Sequence, residues 1–382
     1  MGAEKMALVL NDEQQMLRDS AKSFIQQSSP VSALRELRDR GEEWSADLWA
    51  GMAEMGWTGI TIPEEYDGLE FGHVGAGLIF EECGRTLASS PLLSTSLVCA
   101  SLINALGSDE QKRSLLPRIA GGELILTLAL SESDHLDPAA TAMTADADAD
   151  GFVLAGEKRH VIDGNIANRL LVLARTGGVP GDRDGLSLFI VDRDSAPLGI
   201  DTTLNADNRL TATISFESLR VGRDALLGDA GAAWQQLERA LDIGAVFSAA
   251  ELLGLAQEAF ERTLGYLKER KQFGVLIGSF QGLQHRAAQL FCELELCKSA
   301  VLKALQVIDE DGPERSLLAS LAKAKMAKTA KLAVNEAVQM HGGIGMTDEF
   351  DIGFYMKRAA AACQEYGDYY YHADRFAKLR GY

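Results

Sequence analysis

Two short segments carry residue types that could grip an anion. Arg270-Lys-Gln-Phe-Gly274 is followed by Phe280, Gln281 and His285, and a second segment runs Gln339-Met-His-Gly-Gly-Ile-Gly345. A guanidinium binds a phosphate as a bidentate cation, and glycines let backbone N–H groups approach such a group closely. Blander readings stand beside these. An Arg-Lys pair at a helix end is often a dipole cap, Gly-Gly is often a helix stop, and Phe273 and Phe280 suit plain core packing. His285 reads as a structural histidine. A third feature is Glu251, inside the apolar run Phe247-Ser-Ala-Ala-Glu-Leu-Leu-Gly254. A carboxylate there is costly unless it has a purpose.

Three zones must position these residues. Residues 1–122 read as helical. Asn11 or Asp12 is an N-cap ahead of Met16, Leu17 and Ala21 on one face; Leu48, Met52 and Met55 repeat at helical spacing before Gly56. Pro63 to Gly68 is a turn, and helices resume over 74–87, 92–106 and 109–119. Residues 123–226 hold short strand-like runs at 123–130, 151–156, 169–174, 186–191 and 212–216, which suggest a small β barrel or sandwich. The acidic tract 141–150 reads as a solvated turn. Residues 227–382 are helical again, with long periodic segments over 234–267, 283–308 and 314–339 that suggest a four-helix bundle. The fold class is therefore α+β.

Bulk properties narrow the function. A chain of 382 residues with 47% hydrophobic content suggests a globular protein of two or three domains. Its net charge of −18 argues against nucleic acid or an anionic membrane as a partner. No apolar run stands out as long enough to span a bilayer, and the start has no signal-peptide pattern. Five scattered cysteines form no C-x-x-C pair, so no metal site is expected and the compartment is reducing. The expected location is cytoplasmic.

The order helical, β, helical, with the two glycine-bearing segments, resembles the acyl-CoA dehydrogenase family along the whole chain. Ile62 to Gly72, Gly156 to Gly164 and Tyr355 to Ala359 resemble further family segments. The resemblance implies an N-terminal helical domain, a middle β-barrel domain and a C-terminal four-helix bundle. It also implies FAD, an acyl-CoA substrate undergoing α,β-dehydrogenation, an electron-transfer flavoprotein as acceptor, and a dimer of dimers, homomeric or heteromeric. By that resemblance Arg270 and Phe273 reach the FAD of a neighbouring subunit and Gln281 its adenine-side phosphates. Gln339, Met340, His341, Gly342 and Gly343 form the adenosine-side loop. Ser131 donates to the pyrimidine edge of the flavin.

This sequence departs from the family in two places. Leu130-Ser-Glu-Ser-Asp134 replaces a Thr-Glu-Pro-Gly-like stretch, and His160 and Ile162 stand where a Trp and a Thr are common. The isoalloxazine surroundings, and the potential with them, should differ from the common case. The usual base is also missing. Tyr366 occupies its position in the C-terminal loop, and Gly244 with Ala245 occupies the alternative one. Glu251, Glu365 and Asp368 are the candidate replacements. The pattern Gly367-Asp368 with His372 resembles a subgroup of bacterial members that pair unlike subunits and act on bulky thioesters such as steroid side chains. The vacancy at Gly244 suits a bulky acyl group. The alternative readings are a non-catalytic subunit that completes a partner's FAD site, and a flavin enzyme of another reaction type.

Overall fold

The first helix begins as its capping signal says. In the computed structural model, which describes residues 8–194 and 197–382, α1 (Asp12–Ser28) starts at Asn11 with a complete capping box to Gln14. Ala21 and Ile25 are buried, but Met16 is 65% exposed, so the buried face is centred one side of the expected one. Next come α2 (Val31–Arg40) and α3 (Ala46–Glu54), then α4 (His73–Thr86). A π-helical stretch, Leu93–Cys99, leads into α5 (Ala100–Leu106) and then α6 (Asp109–Ala120).

The strands follow as β1 (Leu126–Ala129), β2 (Thr144–Ala147), β3 (Gly151–Ile162), β4 (Arg169–Arg175), β5 (Leu186–Asp192), β6 (Leu198–Leu204), β7 (Leu210–Gly222) and β8 (Leu226–Leu227). After α7 (Trp234–Glu269), β9 (Lys271–Gln272) and β10 (Val275–Leu276) form a small hairpin. The chain ends with α8 (Gln281–Asp309), α9 (Arg315–His341), α10 (Ile352–Ala362) and α11 (Tyr369–Leu379). These elements pack as two compact units. One comprises residues 8–42, 72–89 and 245–382; the other comprises 43–71 and 90–244, apart from the two residues not described.

In the second unit the strands make one eight-stranded sheet in the order β6-β7-β3-β2-β4-β5-β8, with β1 also pairing with β4. The expected middle β domain is present as this sheet, and among the described residues its strand order does not close on itself. Strand β4 explains its own sequence. Leu170 to Ala174 are fully buried, and a strand covered on both faces reads as a continuous apolar run. The acidic tract expected to be a solvated turn contains β2, whose Ala145 is buried while Asp146 points out. Its alternation was masked by alanine, which marks neither face. Edge strand β6 is mostly exposed, with Asp201, Thr202 and Thr203 along it and Leu204 at 65% exposure.

The first unit is helical. Helices α4 and α7 cross in backbone contact. A Cβ built on Gly84 would lie 2.0 Å from the Glu251 carbonyl oxygen, and one on Gly254 would lie 1.7 Å from that of Glu81. Only glycine permits this approach. The N-terminus of α4 is capped from α8, because the Asp309 carboxylate accepts the His73 N–H at 2.6 Å and the Val74 N–H at 3.0 Å. Helix α7 contains a window long and apolar enough to cross a bilayer by composition, which the sequence reading passed over. That window is 100% buried inside the protein, as a core helix would be.

Candidate active site

The loop after β1 is tied down by a carboxylate that the sequence reading did not single out. Glu132 accepts the Ala142 N–H at 2.8 Å, the Met143 N–H at 3.1 Å and Lys158 Nζ at 2.6 Å. Lys158 also donates to the Leu130 carbonyl at 3.1 Å. Its side chain is fully buried, and burial pulls its pKa down to about 8 against the opposing pull of Glu132. The signal was present: an inward-facing lysine in a strand needs an acceptor within reach.

Strand β3 bulges between Lys158 and Val161, and His160 has φ +52°. The bulge turns Lys158 inward and leaves His160 exposed. His160 Nε2 lies 3.0 Å from Asp134, and this hydrogen bond holds the Asp134 carboxyl below its usual range. The Arg159 N–H donates to the Ser131 carbonyl at 2.7 Å. Ser131 and His160 thus share one loop–strand junction. Ile162 is half-buried further along, its carbonyl accepting the Thr127 hydroxyl at 2.5 Å.

The anion-gripping segments meet in the first unit. Arg270 follows the last turn of α7, its N–H donating to the Tyr266 carbonyl at 2.9 Å. Its guanidinium is exposed and makes no ion pair among the described residues. The hairpin turns at Phe273 and Gly274, both with positive φ. Phe273 is 90% exposed, which removes the core-packing reading for it. Gln281 is the exposed first residue of α8, and Phe280 before it supplies no side-chain cap. The first N–H groups of that helix are therefore open to an anion.

Gln339 is exposed in the last turn of α9, but Met340 and His341 are buried. The His341 ring lies between Tyr266 (4.5 Å between centroids) and Phe350 (4.6 Å), with Nδ1 2.7 Å from the Ala337 carbonyl. Burial lowers its pKa. His341 is thus held inside, and at the exposed Gly342 and Gly343 the outward groups are backbone. Gly342 (φ +64°) and Gly343 would each place a Cβ in open space, with no atom within 4 Å. A guanidinium without an ion pair, an uncapped helix N-terminus and an open glycine turn are each suited to a phosphate group.

The three candidate carboxylates have different fates. Glu251 is buried, and its Oε1 lies 3.0 Å from Nη1 of Arg358 on α10. Arg358 is 1% exposed and also donates to the Ser89 hydroxyl at 2.8 Å. Glu251 is thus the counter-ion of a buried arginine, a purpose the apolar run did not reveal. Asp368 is the N-cap of α11 and accepts the Tyr371 N–H at 2.8 Å. Glu365 is half-buried in the turn between α10 and α11.

All three lie in the field of Lys323, which the sequence reading did not select. Lys323 is fully buried and donates to the Ser248 hydroxyl at 2.7 Å and the Ala362 carbonyl at 2.5 Å. Burial lowers its pKa. Gly244 is buried within α7.

His372 of α11 reaches back to the same turn, with Nε2 2.8 Å from the Tyr366 carbonyl. Burial pushes its pKa from 6.5 down to about 3. Its contribution to stability is therefore complete above pH 6.5 and declines as pH falls toward 3, because the unfolded chain takes up a proton that the folded chain refuses. At pH 5 the loss is about 2 kcal/mol. Urea midpoints at pH 7.5 and pH 5 should fall more steeply for the wild type than for His372→Gln. Equal declines would contradict the assignment.

Comparison with known proteins agrees with this geometry. Sequence models of the acyl-CoA dehydrogenase N-terminal, middle and C-terminal domains match residues 11–123, 127–218 and 231–367. The probable acyl-CoA dehydrogenase YngJ of Bacillus subtilis is 33% identical over 353 residues, covering 91% of this chain and 92% of that protein. A solved chain from work on the electron transferring flavoprotein of Acidaminococcus fermentans superposes with a TM-score of 0.91 at 28% identity, covering 98% of this chain and 99% of that one. A variant of the Tcur3481-Tcur3483 steroid ACAD superposes with a TM-score of 0.85 at 30% identity, covering 97% of this chain and 98% of that one. Matches to all three domains, in order and with a relative aligned almost end to end, make this chain a member of the acyl-CoA dehydrogenase family.

Proposed function

We propose that this chain carries out FAD-dependent α,β-dehydrogenation of an acyl-CoA thioester in the cytoplasm, with electrons passed to an electron-transfer flavoprotein. The observation that carries the reading is the donor set of Arg270, the open N-terminus of α8 and the Gly342-Gly343 turn. These groups, with Gln281 and Gln339 beside them, would hold the phosphates of a dinucleotide; in the second unit, Ser131 and His160 would contact a flavin. The flavin, when bound, supplies the acceptor for the hydride leaving the β carbon.

The α proton needs a carboxylate base in a dry site. Glu365, half-buried in the field of Lys323, is the candidate in this chain for holding it. Gly244 carries no side chain at one of the usual base positions, which suits a bulky or ring-containing acyl group. Phe273, at 90% exposure on a hairpin, suits burial by another subunit of a dimer of dimers.

A second reading has its own support. Glu251 and Asp368 both have structural partners, and neither usual base position holds a carboxylate. In this reading the chain is the FAD-completing subunit of a heteromer, and the base belongs to the other chain. Likeness to the Tcur3481-Tcur3483 steroid ACAD supports it.

The chain should be produced alone and together with a second acyl-CoA dehydrogenase chain of the same genome. Flavin absorbance and acyl-CoA-dependent reduction of an electron acceptor are then measured with straight-chain and steroidal thioesters. Activity of the chain alone supports the first reading; flavin and activity only in the mixture support the second. Absence of flavin in both preparations sinks both. Arg270→Ala should lower bound flavin at least tenfold, read by absorbance after gel filtration, with the unfolding midpoint of the apoprotein unchanged.

A further inference from the structure

We propose that Ser248, Lys323 and His372 are positioning residues that fix the turn between α10 and α11, and that the fixed turn presents Glu365 and Tyr366 to the acyl thioester. The proposal rests on the dehydrogenase reading above. The turn is held at both ends. The Ala362 carbonyl, one of the last in α10 and without an intrahelical partner, accepts both the Ser248 hydroxyl at 3.0 Å and Lys323 Nζ at 2.5 Å. Lys323 also donates to the Ser248 hydroxyl at 2.7 Å, which closes a triangle of three groups. Four residues on, the Tyr366 carbonyl accepts Nε2–H of His372 at 2.8 Å.

Between these anchors the backbone takes two successive left-handed residues, Tyr366 at φ +54° and Gly367 at φ +102°. A non-glycine residue in that region costs about 1 kcal/mol or more and persists where its surroundings fix it. Gly367 has no alternative. A Cβ there would stand 2.6 Å from the Tyr371 ring and 2.8 Å from His372 Nε2.

The anchors come from three helices, α7, α9 and α11, so the position of the turn is set by the packing of the whole helical unit. The choice of anchor is costly. A fully buried ammonium bonded to a hydroxyl and a carbonyl, with no carboxylate at ion-pair distance among the described residues, is a poor stabiliser compared with a leucine of similar size. What a leucine lacks is the ability to hold a carbonyl and to hold Glu365 and Asp368 in a positive field. This gives functional sense to the pattern Gly367, Asp368 and His372. The glycine makes room, the aspartate starts α11, and the histidine on the next turn grips the loop.

The test uses the flavin-loaded enzyme, with its partner chain where the complex is the active form. Hydrogen–deuterium exchange over 360–372, flavin content, kcat and KM are measured for wild type, His372→Ala, His372→Gln and Ser248→Ala. Lys323→Met is left as a fourth variant because it is the one at risk of misfolding. His372→Ala should speed exchange in the turn at least tenfold and lower kcat at least tenfold, with KM within threefold and flavin content unchanged. His372→Gln, which keeps an N–H donor, should recover most of both, and Ser248→Ala should show the same signature more weakly. Unchanged exchange in His372→Ala and Ser248→Ala overturns the anchoring. Faster exchange with unchanged kcat overturns the positioning role. A wild-type enzyme that is inactive alone and in complex sinks the dehydrogenase reading instead, and the exchange data still decide the anchoring.

Discussion

Arg358→Met is expected to lower the folding stability of this chain by about 3–5 kcal/mol, the range for stranding one partner of a buried ion pair. Glu251 is 7% exposed and Arg358 1% exposed, so neither charge reaches water when the other is lost. The arginine also holds the Ser89 hydroxyl at 2.8 Å and the Ala88 carbonyl at 3.4 Å, and both lose a donor in the variant. The decisive comparison is the double variant Glu251→Leu/Arg358→Met. Replacing the whole pair with apolar groups of similar volume removes the desolvation cost together with the attraction, so most of the lost stability should return. Urea unfolding of the wild type, both single variants and the double variant gives the coupling directly. A double variant no more stable than the worse single variant would show that the contacts of Arg358 with the 88–89 segment, and not its charge pairing, carry the effect.

Gly254→Ala is the second large expectation, at about 3 kcal/mol or more. The added Cβ would sit 1.7 Å from the Glu81 carbonyl oxygen, which is backbone and cannot swing aside. Helices α4 and α7 would have to separate, and the reciprocal contact of Gly84 with the Glu251 carbonyl would open with them. Gly265→Ala is the control on the same helix. No atom lies within 4 Å of its Cβ position, so helix propensity alone predicts a gain of about 0.5–1 kcal/mol. Opposite signs for two identical substitutions in one helix would isolate the crossing. A loss below about 1 kcal/mol for Gly254→Ala would show that the two helices are not held in backbone contact.

What sequence can supply is local. Asn11 with Gln14, Gly56 after α3 and the apolar run of β4 act through neighbours in the chain, so they can be read without knowing the fold. Strand β2 was missed because alanine at its buried position gives no contrast with its acidic neighbours. Arg270 and Gly342 can be proposed as anion contacts from sequence because guanidinium and glycine carry their chemistry wherever they stand.

The carboxylates show the limit. Their residue types are equal to the task of a base, and only tertiary structure divides them. Glu251 meets an arginine 107 positions away. Asp368 is spent on the first turn of α11. Glu365 lies in the field of a lysine that reads from sequence as one more polar residue of α9. The charge a side chain can bear is written in its formula. The partner that determines whether the charge is structural or reactive comes from elsewhere in the chain, and proximity across such separations exists only once the helices have packed.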